Sequence, residues 1–226
     1  MSPAPTLTLY TYFRSSAATR VRTLLSLQGT PYESEYIHLL KGDQRSASYT
    51  SLNPSGAVPT LKVSENGEEW YLTQSAAIME YLDAVFGPSS KCGSLMPASE
   101  KGKALVRSII DVLVCDMQPL ANLKTLQRVK GMGGDSEVWA KEVNEAGLQA
   151  LEGLLKKYSG GKFAYGDSLT LADVALAPQM YTCLRFGANL ADYPTCAAVF
   201  KHVSSLPEFI AADWKHQPDT PEELRA

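Results

Sequence analysis

The chain has 226 residues, 45% hydrophobic and 20% charged, enough to bury a sizeable core as one large domain or two modest ones. A formal net charge of -3 gives no electrostatic reason to bind nucleic acid or an anionic membrane surface, so any anionic ligand must be held by local groups. Residues 1–6 lack the basic and apolar regions of a secretory signal, and no apolar run approaches the ~18 residues that span a bilayer; the expectation is a cytoplasmic protein without a membrane segment.

The chain opens with a short apolar strand, Leu7-Thr8-Leu9-Tyr10. A turn carrying Ser15 and Ser16 follows, and then a helix whose Val21, Leu24 and Leu25 fall at helical spacing and which ends near Gln28-Gly29. Hydroxyls and unpaired amides at a helix start favour negative charge, and a thiolate is one such charge. The plain alternative is that the two serines only cap the helix. Tyr32 to Ile37 alternates as a strand does, and a strand, helix, strand run of this length implies a parallel pair joined by a crossover helix. Lys41 to Ser51 is polar and poorly periodic, and reads as a loop with room for one helical turn. Pro59 then directly precedes a strand-like run, as a strand's first residue or as a cis proline in a tight turn.

Glu65-Asn66-Gly67-Glu68 supplies a hairpin turn into Trp70-Tyr71-Leu72. Thr73-Gln74-Ser75 opens a helix with Ile78, Tyr81, Leu82 and Val85 on one face, stopped by Gly87-Pro88. Residues 88–98 have the composition of a linker, and everything beyond is helical in pattern. Ile109, Val112, Leu113, Met117 and Leu120 mark one face; Leu148, Leu151, Leu155 and Tyr158 mark another after the break at Gly131 to Gly134. Thr170-Leu171-Ala172-Asp173 is a capping box with Leu169 and Val174 as its staple. Two short helices fit 194–205 and 207–214, leaving a polar tail at 217–221. The expected architecture is an α/β module over 1–87, a linker over 88–98 and an all-helical domain over 99–226. The four cysteines, at 92, 115, 183 and 196, have no CxxC spacing, and three histidines give no ligand cluster, so no metal site is expected. Buried or incidental thiols fit better.

These parts together resemble the cytosolic glutathione transferases, whose fold joins a thioredoxin-like domain to a helical one. Val58-Pro59 is similar to that family's cis-proline. Gln74-Ser75 resembles its motif for the glutathione γ-glutamyl group, and the box at Thr170 its capping motif. Within the family the zeta class, the maleylacetoacetate isomerases, is the closer match. Tyr12-Phe13-Arg14-Ser15-Ser16 with Arg20-Val21-Arg22 resembles its hallmark YFRSSCxWRVR, 118–123 its QPLQNL, and 217–226 its C-terminal ending. Two departures stand in the hallmark: its cysteine is Ala17 here and its tryptophan is Thr19.

The resemblance implies glutathione as cofactor and assigns roles residue by residue. A thiol of this kind has a pKa of ~8.5, and each unit of depression corresponds to ~1.4 kcal/mol in favour of the thiolate. Ser15 is the first candidate hydroxyl donor to the sulfur and Ser16 the second. Val58, ahead of Pro59, would pair its backbone with the cysteinyl amide. Gln74 and Ser75 would hold the γ-glutamyl carboxylate, Gln44 the glycyl end, and Gln118 would reach in from the helical domain. Arg185 matches the family's substrate-carboxylate arginine and Arg14 is the second candidate, since the planar fork meets a carboxylate with two parallel bonds. A solvated Gln44 and ordinary surface arginines are the plain alternatives, and Arg20 and Arg22 read as helix-face residues. The implied reaction is thiolate addition to a cis double bond, rotation and expulsion, on a small diketo dicarboxylate, with the developing enolate met by donors or positive charge. The protein supplies no obligatory sulfur, so Ala17 leaves this reaction intact while putting side activities on halogenated acids in doubt. The competing functions are a general glutathione transferase or peroxidase acting on other small electrophiles, and a non-catalytic binding module. The family's habit implies a homodimer.

Overall fold

The structure, a computed structural model, describes residues 5–225. Its first compact unit takes the chain up to Ser94 together with the segment from Pro207 onward; Leu95–Leu206 form the second.

In the first unit β1 (Thr6–Thr11), β2 (Glu33–Tyr36), β3 (Thr60–Glu65) and β4 (Glu68–Thr73) make one sheet in the order β2-β1-β3-β4. β1 and β2 are parallel and the other two pairings antiparallel. The parallel pair is bridged by helix α1 (Ser16–Gln28), as the pattern predicts. Leu7 and Leu9 of β1 and Leu61 and Val63 of β3 are buried, so alternate residues of the central strands supply the sheet's core face. α1 ends at Gly29, whose φ of 67° suits a residue without Cβ, and the next amide, of Thr30, closes onto Leu25 C=O at 3.0 Å. The polar stretch expected as loop holds a 3-10 turn at Asp43–Arg45 and then α2 (Ala47–Leu52), capped by Ser46. In α3 (Ser75–Phe86) the buried stripe is Ser75, Ile78, Met79, Leu82 and Asp83; Tyr81 is half-buried and Val85 exposed, so the packed face is rotated from the one the apolar spacing marks. α3 lies against α1.

The second unit contains α4 (Glu100–Asp111), α5 (Leu123–Gly131), α6 (Ser136–Tyr158), α7 (Leu171–Arg185) and α8 (Pro194–Val203). α4 runs straight into a π turn, Val112–Met117. That wider turn breaks the expected stripe: Ile109, Leu113 and Met117 are buried, but Leu120 faces out. Met117 fills the space over Gly147 of α6, where any Cβ would collide with the Met117 side chain. The box at the start of α7 forms with Asp173 as its centre: one oxygen accepts from the Thr170 N–H (2.8 Å) and hydroxyl (2.9 Å), the other from the Ala164 N–H (2.6 Å). Burial pushes the Asp173 carboxyl up to about 6 against these bonds.

The C-terminal segment departs from the expected division. α9 (Pro207–Ala212) packs on α1 within the first unit, and the following residues continue there. What was expected as a polar tail has Gln217 and Thr220 buried, with Gln217 Nε2 donating to Ala211 C=O at 3.0 Å and Asp213 C=O at 2.7 Å. No helix among the described residues is long and apolar enough to cross a membrane.

Candidate active site

The site begins with how α1 starts. Tyr12 and Phe13 are buried in a cluster with Tyr49 and Val58, edged by Tyr10, Ile37, Leu39, Trp214 and Leu224. The chain then turns, Ser15 N–H donating to Tyr12 C=O at 3.0 Å, and Ser15 becomes the N-cap. Its Oγ accepts from Ala18 N–H at 3.2 Å. Capping therefore occupies a lone pair and leaves the hydroxyl proton to be donated elsewhere, so the cap and the sulfur-donor roles are compatible. Ser16 is the first helical residue, and the Ser16 and Ala17 amides belong to the unpaired first turn. Ala17, where the zeta hallmark has cysteine, is buried.

Arg20 and Arg22, expected as helix-face residues, lie inside. Arg20 and Arg22 are 1% and 2% exposed, because α1 is buried on nearly every side and its charges have no outer face. Arg22 donates to the Thr11 hydroxyl (2.8 Å), Tyr12 C=O (3.3 Å), Phe13 C=O (3.0 Å), the Thr19 hydroxyl (2.7 Å) and Ala212 C=O (3.3 Å). It ties the turn before Ser15 to α1 and α9. Desolvation lowers its pKa from 12.5 to about 10, leaving it charged at neutral pH. Arg20 Nη1 donates to the Ser75 Oγ at 3.2 Å, fixing the start of α3 to α1. The signal for both was available: α1 has no acidic residue and almost nothing but apolar and hydroxyl side chains around these two cations.

Of the remaining first-unit candidates, Val58 is part of that cluster, Gln44 and Arg14 bond or stack on residues at its edge, and Gln74 and Ser75 stand at the start of α3. The Val58-Pro59 bond is cis and both residues are buried. Their loop is held from below by Tyr49 and Asn53, whose side chains both donate to Ala57 C=O (2.7 and 2.8 Å) and both bond the Thr60 hydroxyl (2.8 and 2.9 Å). Neither backbone polar group of Val58 has a partner among the described residues. Gln74 is exposed at φ 72°, ψ 116°, a strained backbone for a residue with a Cβ, and offers α3 no side-chain cap; the first amides of α3 are thus open to an anion. Ser75 is buried beneath it. Gln44 is half-buried, its Nε2 donating to Leu39 C=O at 3.3 Å while its Oε1 is buried without a partner among the described residues. Arg14 is exposed, with its guanidinium 5.7 Å from the Trp214 ring centroid.

Gln118 and Arg185 belong to the second unit. Gln118 closes the π turn, its N–H on Leu113 C=O at 3.1 Å, and is half-buried. Arg185 stands in the last turn of α7, exposed, 5.2 Å from the Phe186 ring. α7 packs against the π turn, so the elements carrying these two residues touch. Tyr49, Asn53 and Asp219, which accepts from Phe13 N–H, are positioning residues that sequence reasoning missed; nothing local marks them.

Two family descriptions match the chain: "Glutathione S-transferase, N-terminal domain" over residues 5–84 and "Glutathione S-transferase, C-terminal domain" over 121–212. Maleylacetoacetate isomerase of Aspergillus fumigatus is 42% identical over 226 residues, covering 99% of this chain and 97% of that protein. Maleylacetoacetate isomerase of Anaeromyxobacter dehalogenans, solved with glutathione in its active site, superposes with a TM-score of 0.87 at 37% identity, covering 98% of this chain and all of that one. The same bacterial protein, solved with dicarboxyethyl glutathione and citrate in the active site, gives a TM-score of 0.86 at 36% identity over 99% and 98% of the two chains. A maleyl pyruvate isomerase, described as a bacterial glutathione S-transferase of the zeta class, matches at 33% identity and a TM-score of 0.86, covering 95% of this chain and all of that one. With a thioredoxin-like unit carrying a cis-proline beside a serine-capped helix, the chain belongs to the glutathione S-transferase family, in its zeta class.

Proposed function

We propose that this protein catalyses the glutathione-dependent cis-trans isomerisation of maleylacetoacetate to fumarylacetoacetate, a step of aromatic amino acid breakdown. The observation that carries the reading is the Ser15 cap: its oxygen is fixed by the Ala18 N–H while its proton stays available beside two unpaired amides. The site's unmet needs fit the tripeptide. Among the described residues Val58 leaves both backbone groups unpaired at a cis bond, as a strand-like partner requires, and Gln44 Oε1 is a buried acceptor lacking a donor.

Glutathione, when bound, supplies the sulfur nucleophile that adds reversibly to the cis double bond. Ser15 donates its hydroxyl proton to the sulfur, and the Ser16 and Ala17 amides with the α1 dipole lower the free energy of its anion. Ser16 is the second hydroxyl at that helix start. Val58 pairs with the cysteinyl amide, the open amides of α3 with Gln74 and Ser75 hold the γ-glutamyl carboxylate, Gln44 takes the glycyl end, and Gln118 is the further glutathione-binding candidate. Arg185 binds a substrate carboxylate and Arg14 is the second cation. The dicarboxyethyl glutathione and citrate held in the active site of the bacterial isomerase, both rich in carboxylates, support that charge assignment. The same reading implies a cytoplasmic homodimer, whose state light scattering reads directly.

Isomerisation of maleylacetone with and without glutathione is the primary test. Turnover that depends on glutathione and falls at least tenfold in Ser15→Ala is expected. Arg185→Ala should raise KM for the dicarboxylate while leaving glutathione affinity unchanged. Equal losses on a neutral electrophile would instead favour a general transferase.

A further inference from the structure

We infer that Asp219, near the far end of the chain, is a positioning residue that sets the turn from which Ser15 presents its hydroxyl. The inference rests on the isomerase reading above and deepens it. Phe13 N–H donates to Asp219 Oδ2 at 2.8 Å, a contact spanning 206 residues of sequence. On the other side of the same residue, Phe13 C=O and the preceding Tyr12 C=O accept from Arg22. The backbone two residues before Ser15 is thus held through its donor by a carboxylate and through its acceptors by a guanidinium.

Both holders are joined to the C-terminal segment. Arg22 Nε donates to Ala212 C=O at the end of α9. Beyond it, Trp214 and Leu224 pack against the Tyr12, Phe13, Tyr49 and Val58 cluster, and Trp214 lies under the Arg14 guanidinium. The segment keeps its own shape: Gln217 bonds Ala211 and Asp213, and Arg225 donates to the carbonyls of Thr220 (2.9 Å) and Pro218 (3.0 Å). Asp219 is therefore delivered by a segment braced by its own hydrogen bonds. Its second oxygen, Oδ1, is buried with no hydrogen-bond partner among the described residues. A half-buried carboxylate whose buried oxygen is unmatched is a poor stabilising device, which argues that the bond to Phe13 is what the side chain is kept for. Because Ser15 N–H bonds Tyr12 C=O, a rotation of the Phe13 peptide turns the Ser15 cap with it.

Two substitutions separate geometry from charge. Asp219→Asn keeps an acceptor at the same place and removes the charge near Arg22; Asp219→Glu keeps the charge and moves the acceptor by one methylene. Two readouts suffice: amide exchange of Phe13 in the ligand-free protein, and the thiolate absorbance of bound glutathione titrated against pH. Asp219→Glu is expected to speed Phe13 exchange and to raise the bound thiol's pKa so that the thiolate-to-thiol ratio at a given pH falls about tenfold. Asp219→Asn is expected to leave both close to wild type. The inference is overturned if the thiol in Asp219→Glu titrates as in wild type, which makes the contact merely structural, or if Asp219→Asn shifts it as much, which makes charge the cause. A wild-type bound thiol titrating like free glutathione would overturn the functional reading itself and this inference with it.

Discussion

Replacing Arg22 by Met asks what the buried cation contributes. The substitution nearly conserves volume and removes five donated bonds. Tyr12 C=O keeps the Ser15 amide and the Thr19 hydroxyl keeps its own bond to Ser15 C=O, so the acceptors stranded are Thr11 Oγ1, Phe13 C=O and Ala212 C=O. Each unsatisfied buried acceptor costs about 1–3 kcal/mol. Against that, removing a charge whose pKa burial has depressed from 12.5 to about 10 returns roughly 3 kcal/mol. The middle of the range leaves a net loss of about 3 kcal/mol. With an m-value of about 2 kcal/mol/M, the urea midpoint falls by about 1.5 M. Fluorescence follows the right unit, since Trp70 and Trp214 belong to the first and Trp139 to the second. Arg22→Lys should lose nearly as much, because an ammonium cannot reproduce the planar fork. If both variants unfold within about 0.5 M of wild type, Arg22 is not the tie between the turn, α1 and α9 described above.

Three further outcomes follow from particular side chains. With burial raising the Cys183 thiol to about 12 and pushing Cys196 up as well, only Cys92 and Cys115 should react quickly with a disulfide reagent in the native protein, and all four after unfolding; fast reaction of three or more would place a buried thiol wrongly. Gln74→Gly relieves a positive φ, so unfolding should require about 1 kcal/mol more while glutathione binds more weakly; calorimetry showing both quantities falling together would remove the strain argument. Asp173, with a folded-state pKa near 6 against an ordinary 3.8, holds its proton more tightly when folded. The resulting stability is fully present below about pH 4 and is lost as pH rises through 6. Wild type should therefore lose up to about 3 kcal/mol relative to Asp173→Asn between pH 4 and pH 7, and a pH-independent difference between the two unfolding curves would contradict the assignment.

Local chemistry was legible wherever a residue answers to near neighbours. The strand and helix periods, the Gly29 stop, the Ser15 cap and the Thr170 box are each decided within a few residues, and the structure shows them in place. Apolar spacing did worse at naming the packed face. Val85 and Leu120 turned outward because the face of α3 is chosen by α1, and because a π turn ahead of Leu120 resets the helical phase.

From its own order of residues, then, this protein declares its elements, its family and the hydroxyls and amides that a thiolate would meet. The burial of Arg20 and Arg22, the attachment of the segment after Pro207 to the first unit and the hold of Asp219 on Phe13 were decided only by the folded chain. The reason is physical. Periodicity records that a side chain avoids water but not what it packs against, and a hydrogen bond across 206 residues leaves no mark on the spacing of either partner.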